Sequence, residues 1–571
     1  MPVINSTGSR WLMMVAALAL LASACASSEQ LEQAEGEGGV GGSAGGGEAG
    51  EAAEQPSGEP VQGGTVTFGG DQEPEILNPL LPEGSLTATA AVAVSTLRRL
   101  YAITPDFEYV PDLLEGEAEV TEDPFSVTYT LQEGLQWNDG EPLTAEDVAF
   151  SYEVKVNPDN NITSRDGYDR VSGYEILDER TIRFDFDEPY APWRSLFATA
   201  DGAILPQHVL EGQDFNQAML EGYEFASGPF QFESWDRGQQ LTLVRNENYS
   251  GEPAALDSIV FRYIEDSNTQ VQALRAGEID MFYPQPQVDL LEQVDAIDDV
   301  TSQTKLGPQW EHLDFQFGNP ALSQQYVRQA IAYAIDREAI TQQLIAPLNA
   351  EAQPLHNAIW MINQEPYEPH FDRYAYDPDR ARELLEDNGC AQGADGIYEC
   401  NGERLSFTYK TTAGNALREL QQQVIQQQLA EVGIEVTPQN GEAAVILGTD
   451  LTSCNFEIIN FAWVGSPDPA SGNTIFTIDG VACEDGVGQN YTGYESQEVT
   501  DLVNETNVTV DEEERAALYN QVDEILAEDV PLLPLYQKPT FFAWRNTIQG
   551  PEDNPTQEGP FWNVAEWTLT E

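Results

Sequence analysis

Four histidines, five cysteines and 97 acidic residues decide what chemistry this 571-residue chain could carry out. His208, His312, His356 and His370 are scattered, and neither they nor the cysteines fall at metal-ligand spacings, so no zinc or other metal centre is expected. The chain has no H-E-x-x-H and no cysteine–histidine pair in a recognisable setting. Gly41-Gly42-Ser43-Ala44-Gly45 fits the G-x-S-x-G pattern of serine hydrolases, but that pattern works only on a strained turn between a strand and a helix. Here it lies in a run of Gly, Glu and Ala with nothing to strain it. Paired carboxylates, which glycosidases use as acid and base, carry no signal among so many acids. A secreted hydrolase is therefore the weakest reading of this chain, and no cofactor is expected.

The elements that would position any site are better defined. Phe125, Val127, Tyr129 and Leu131 alternate as a strand, and Asn138-Asp139-Gly140 supplies residues that tolerate a reversal. Thr144 precedes Ala145-Glu146-Asp147, so its hydroxyl can accept from the third helical N–H while Asp147 sits at the positive end of the helix dipole. A helix is expected to start at Ala145. Other helices are expected over 88–100 with Thr87 as its cap, 268–276 closed by Gly277, 325–335, 377–388, 416–432 ending at Gly433, and 511–527.

The two ends of the chain point to export. Residues 1–25 have a weakly basic start, an apolar run from Trp11 to Leu21 too short to cross a bilayer, and then Ala22-Ser23-Ala24-Cys25. They read as a secretory signal peptide whose small residues before a cysteine resemble a bacterial lipobox, with Cys25 as the lipidated residue. Two or more acyl chains suffice for stable anchoring. Residues 26–62 have the composition of a flexible tether, with a reach of about 35 Å. Export favours disulfides among the four remaining cysteines. Three pairings are possible, and proximity suggests Cys390 with Cys400 and Cys454 with Cys483.

About 500 residues remain, enough for two or three domains. The formal charge of −72, with only Lys155, Lys305, Lys410 and Lys538 as lysines, repels nucleic acid and anionic lipid. So acidic and lysine-poor a chain resembles proteins of salt-adapted or high-GC bacteria, where counterions screen self-repulsion.

The run from Leu131 to Glu153, with Trp137-x-Asp139-Gly140-x-Pro142-x-Thr144-Ala145-x-Asp147-Val148 at its centre, closely resembles the signature of the family 5 extracellular solute-binding proteins. These are the dipeptide, oligopeptide and nickel receptors of ABC importers. The likeness returns at Gly64–Thr67, Gly228–Phe230, Leu274–Asp280 and Val327–Arg337, in the family's order. It implies an α/β, periplasmic-binding-protein-like class II fold, two lobes joined by hinge strands, with an extra domain II. Residues 63–100, 206–307 and 531–571 would form domain I, 101–205 domain II and 308–530 domain III.

The same resemblance implies a ligand site between domains I and III, built from Glu83, Gly84 and Ser85, from Tyr168, from the stretch Trp463, Val464, Gly465, Ser466 and Asp468, and from Tyr536. In peptide-binding members the third stretch reads Trp-x-small-Asp, and that Asp pairs with the ligand's α-amine, a charge-assisted bond strengthened by desolvation. Ser466 stands at that place here. A hydroxyl can accept from an ammonium but not neutralise it, so Asp468 or Glu83 would have to take over. The implied function is an extracytoplasmic, lipid-anchored monomer that holds peptides by backbone hydrogen bonds and wet pockets and hands them to a permease and its ATPase. The alternatives are a sugar oligomer, an opine or a metal chelate as cargo, or presentation of ligand to a sensor protein.

Overall fold

Val66 and Phe68 alternate with exposed or half-buried neighbours along β1 (Thr65–Gly70), so one face of this strand must be covered. In the computed structural model, which describes residues 59–165, 167–483 and 488–570, that face packs into the largest of four buried clusters. Elements are named below in chain order: α1 (Thr87–Thr96), β2 (Glu119–Glu122), β3 (Phe125–Thr130), α2 (Ala145–Val156), β4 (Val171–Ile176), β5 (Thr181–Phe186), β6 (Phe230–Asp236), β7 (Gln240–Arg245), β8 (Ser258–Tyr263), α3 (Ser267–Ala276), β9 (Met281–Phe282), β10 (Val300–Gln303), β11 (Leu306–Phe315), α4 (Gln325–Ala334), β12 (Ser406–Lys410), α5 (Ala416–Glu431), β13 (Glu435–Pro438), β14 (Ile458–Val464), α6 (Glu512–Asp529), β15 (Leu532–Pro539) and β16 (Phe542–Arg545).

Two large sheets carry the architecture. The first has seven strands in the order β10-β16-β9-β1-β8-β7-β6, with β8 and β9 running parallel to β1 on either side of it. The second has five strands in the order β13-β12-β14-β11-β15. A four-stranded antiparallel sheet, β2-β3-β5-β4, stands beside the first. The residues of the first and third sheets share one buried core, whereas the five-stranded sheet and its helices have their own, from Trp310 to Tyr536. This is the two-lobed α/β fold that the sequence resemblance implies.

The chain moves from the first large sheet to the second between Gln303 and Leu306, and returns between Pro539 and Phe542. The two crossings are tied together: Thr540 N donates to Lys305 O at 2.8 Å, and Lys305 N to Thr540 Oγ1 at 3.2 Å. Thr540 Oγ1 in turn donates to the buried Asp553 carboxylate. Separate cores joined by a short two-stranded crossing allow one lobe to rotate on the other without either unfolding.

Helix starts follow their caps. Asp266, Asn415 and Asp511 accept from Thr269, Arg418 and Glu514 N–H at 2.8, 3.1 and 2.9 Å to open α3, α5 and α6, and Gly277 closes α3 at φ 73°. At α2 the Thr144 hydroxyl accepts from Glu146 N at 3.3 Å and Asp147 accepts from Thr144 N at 2.9 Å, a reciprocal capping box. Asp147 does more than face the dipole. It is buried, and it also accepts from Gln207 N at 2.9 Å, fixing where the chain leaves the four-stranded sheet. α1 departs from expectation. It starts at Thr87 without a side-chain cap and stops at Thr96, because Leu97 is extended and Arg98 and Arg99 turn into buried ion pairs with Asp112 and Glu558. Cys390 is bonded to Cys400, and Cys454 to Cys483.

Candidate functional site

Ligands of open α/β sheets gather beyond the carboxyl ends of parallel strands. Here the parallel strands β1, β8 and β9 end at Gly70, Tyr263 and Phe282, and all three ends open on one cleft of about 550 Å³. The wall of the first lobe carries Phe68, Asp71, Phe261, Tyr263 and Tyr283, the turn Gly84–Leu86, the first turn of α1, and residues of 555–561. The floor is the crossing itself, Gly307–Gln309 and Lys538–Phe541, and Val464 adds the edge of the second lobe. The volume suits a small guest held on several sides.

The structure brings only some of the expected residues to this cleft. Gly84 and Ser85 line it, and Glu83 is exposed in the same turn, Pro82–Gly84. Gly84 is needed for the backbone path as well: a Cβ there would stand 1.8 Å from Asn78 O. Val464 lines the cleft and is 48% exposed. Its neighbour Trp463 points the other way, as strand alternation requires. There Trp463 lies parallel to His312 and Tyr491, with centroids at 6.1 and 5.8 Å, and edge-on to Phe461. Gly465 ties the end of the strand to the floor, its N–H donating to Pro308 O at 2.7 Å.

Ser466 and Asp468 are engaged within their own lobe. The Ser466 hydroxyl donates to Asp468 O at 2.5 Å and bonds Ser471 Oγ at 2.7 Å. Asp468 accepts from both terminal nitrogens of Arg515 at 2.6 and 2.7 Å and from Ala470 N at 2.9 Å. Burial opposes the Arg515 charge, but Asp468 outweighs it and raises that guanidinium's pKa. The expectation that Asp468 could replace the amine-binding Asp meets a carboxylate whose two oxygens are already occupied. Residues of the four-stranded region reach the same place: Arg194 pairs with Glu512, and Asp468 adds to the burial that raises the Tyr109 hydroxyl.

Tyr168 and Tyr536 sit in interior positions rather than on the cleft wall. Tyr168 accepts from Phe197 N at 2.9 Å and lies 5.0 Å beneath Lys155 Nζ, which pairs at 2.8 Å with Asp201 on the wall. Tyr536 is fully buried in the second lobe, and its hydroxyl, pushed well up by burial, has no partner among the described residues. Sequence reasoning missed Lys538, Tyr263, Tyr283 and the 555–561 segment. The scarcity of lysine was the one signal that could have drawn attention to Lys538. Cys25 lies outside the described residues.

Two lobes with a cleft at their crossing are the arrangement of a two-lobed substrate-binding protein. Residues 108–480 match the model of the bacterial extracellular solute-binding proteins, family 5 Middle, and the chain belongs to that family, the solute-binding proteins of ABC importers. Among curated relatives, it is 27% identical over 527 residues to the oligopeptide-binding protein AppA of Bacillus subtilis (strain 168), covering 90% of this chain and 93% of that one. It is 29% identical over 503 residues to the oligopeptide-binding protein OppA of Mycobacterium tuberculosis (strain ATCC 25618 / H37Rv), covering 85% and 82%. Among solved structures, the periplasmic EDTA-binding protein EppA superposes with a TM-score of 0.82 at 26% identity, covering 92% of this chain and 100% of that one. AppA of Bacillus subtilis in complex with a nonapeptide gives 0.71 at 24%, covering 90% and 100%.

Proposed function

We propose that this chain is a lipid-anchored, extracytoplasmic receptor that takes short peptides into the interlobe cleft and delivers them unaltered to an ABC permease. The observation that carries the reading is the cleft of about 550 Å³ at the ends of β1, β8 and β9, floored by the crossing strands. The oligopeptide-binding names of the curated relatives support a peptide guest, and the reading of Cys25 as a lipidated residue supports the anchor. Strand ends that open on the cleft, and the polar side chains Asp71, Gln72, Thr87 and Gln285 in its lining, suit hydrogen bonding to varied peptides. Glu83, Gly84, Ser85 and Val464 are the residues of the expected site that this reading places nearest the guest.

A second reading keeps the scaffold and changes the cargo to a non-peptide chelate or opine. One observation favours it: Asp468 is neutralised by Arg515, so the place where a peptide's ammonium would be expected offers no free acid. The similarity to an EDTA-binding protein points the same way. Thermal denaturation separates the two, because a guest that binds only the native form raises the midpoint by mass action. A midpoint raised by a short-peptide mixture is the expected result. A rise with a chelate or oligosaccharide and none with any peptide would replace the peptide reading.

A further inference from the structure

The four lysines of this chain differ in one respect. Lys155, Lys305 and Lys410 each hold a carboxylate within hydrogen-bond distance, Asp201 at 2.8 Å, Glu552 at 2.9 Å and Asp450 at 2.7 Å. Lys538, on the floor of the cleft, does not: its nearest carboxylate oxygen, Glu311 Oε1, is 3.9 Å away. Among the described residues Lys538 Nζ donates no hydrogen bond. Arg328 and Arg337 are buried without a carboxylate too, but backbone carbonyls accept from them, whereas among the described residues Lys538 Nζ has neither kind of partner within hydrogen-bond distance.

The reason is in the group behind it. Arg418 donates through Nε to both Glu311 oxygens at 3.0 Å and through Nη2 to Oε1 at 2.9 Å, and Asn460 Nδ2 donates to Oε2 at 3.0 Å. Glu311 is thereby satisfied without Lys538. The cluster holds two cations and one carboxylate, and the Glu311 and Lys538 side chains are only 1% and 12% exposed. Burial and the like charge of Arg418 both disfavour the Lys538 ammonium, while Glu311 favours it. A buried excess charge is costly unless something neutralises it, and Lys538 lines the cleft, where a guest could do so. Asp201 on the wall is already paired with Lys155, and Asp71 stands on the opposite lobe.

Resting on the cleft as the ligand site, we propose that Lys538 determines specificity for the guest: its ammonium donates to a guest carboxylate at the hinge end of the cleft, so the cargo must carry one. A peptide supplies it as its C-terminus or an acidic side chain, and a chelate as one of its arms. Specificity is thus anchored at the negative end of the guest, and the occupied Asp468 leaves its positive end to Asp71 on the wall or to the exposed Glu83.

The test uses the full chain, a digest-derived short-peptide pool, the same pool with every carboxyl methyl-esterified, and EDTA. Wild type should bind the free-acid pool roughly ten- to a hundred-fold more tightly than the ester pool, the range of one charge-assisted bond. Lys538→Met should bind acid and ester alike, and Lys538→Arg should recover the acid preference. Melting of the unliganded variants controls for folding, and Lys538→Met should melt no lower than wild type because Glu311 and Arg418 remain balanced. An ester pool that binds wild type as well as the acid pool, or an acid preference that survives in Lys538→Met, overturns the proposal. If EDTA binds and the peptides do not, the peptide reading fails alone. The role of Lys538 then stands if Lys538→Met weakens EDTA tenfold or more, and falls if it does not.

Discussion

Asp468 shows how one residue's surroundings decide whether it can serve a ligand. Its bidentate bond to Arg515 joins two side chains that are 12% and 11% exposed. Removing one partner of such a pair leaves the other as an uncompensated buried charge. Asp468→Asn should therefore lower stability by about 3–5 kcal/mol, seen in chemical denaturation, while guest affinity of the folded fraction stays near wild type. A variant of native stability with affinity lost tenfold would instead make Asp468 the ligand's acid. Why the site was only partly legible is also a matter of single residues. The order of residues around Trp463 was readable, but a strand gives alternate side chains to opposite faces, and which face met the cleft depended on the pairing of β14 with β11. Trp463 went, half-buried, against the His312–Phe461–Tyr491 rings of its own lobe and Val464 to the cleft. Lys538 belongs to no motif, and its importance arises only when Glu311 and Arg418 fold behind it from far along the chain.

At the scale of elements, the crossing strands carry the mechanics. Thr540 bonds Lys305 on one side and Asp553 on the other, so the Asp553 carboxylate helps fix the point about which the lobes turn. Burial pushes Asp553 up to about 6, against the pull of the Thr540 and Tyr283 hydroxyls. Its folded pKa thus lies above the unfolded value of 3.8, and the native state holds this proton more firmly. Stability from this group is greatest below about pH 4, falls as pH rises toward about 6, and stays lower above that, by up to roughly 3 kcal/mol. Asp553→Asn should remove that slope and raise the unfolding free energy at pH 7.5. An unchanged slope between pH 4 and 6 would mean that Asp553 does not titrate there. The helices were the most legible elements, because Asp511 and Gly277 mark their ends by local chemistry. α1 was not, since its end is set by distant partners, Asp112 and Glu558, that no local pattern shows.

For the whole molecule, separate buried cores on either side of the crossing explain how a guest can be enclosed without either lobe unfolding. The resemblance around Trp137 made that architecture readable from the sequence, though the direct signal there is structural: Trp137 is fully buried and carries no ligand chemistry. The charge of −72 acts at this scale too. Self-repulsion destabilises the compact state and is screened by salt, so the unfolding midpoint should rise from low to molar NaCl. No rise would remove salt adaptation as the reason for the acidity. If the two lobes hold a guest and return it chemically unchanged, native mass spectrometry will show the intact guest. Incubated with a short-peptide pool, the protein should retain one guest per chain, and the guest released on denaturation should have the mass of a pool member. Release of cleavage products, or no retained guest from peptides or chelates alike, would mean that the protein is not a receptor that leaves its guest intact.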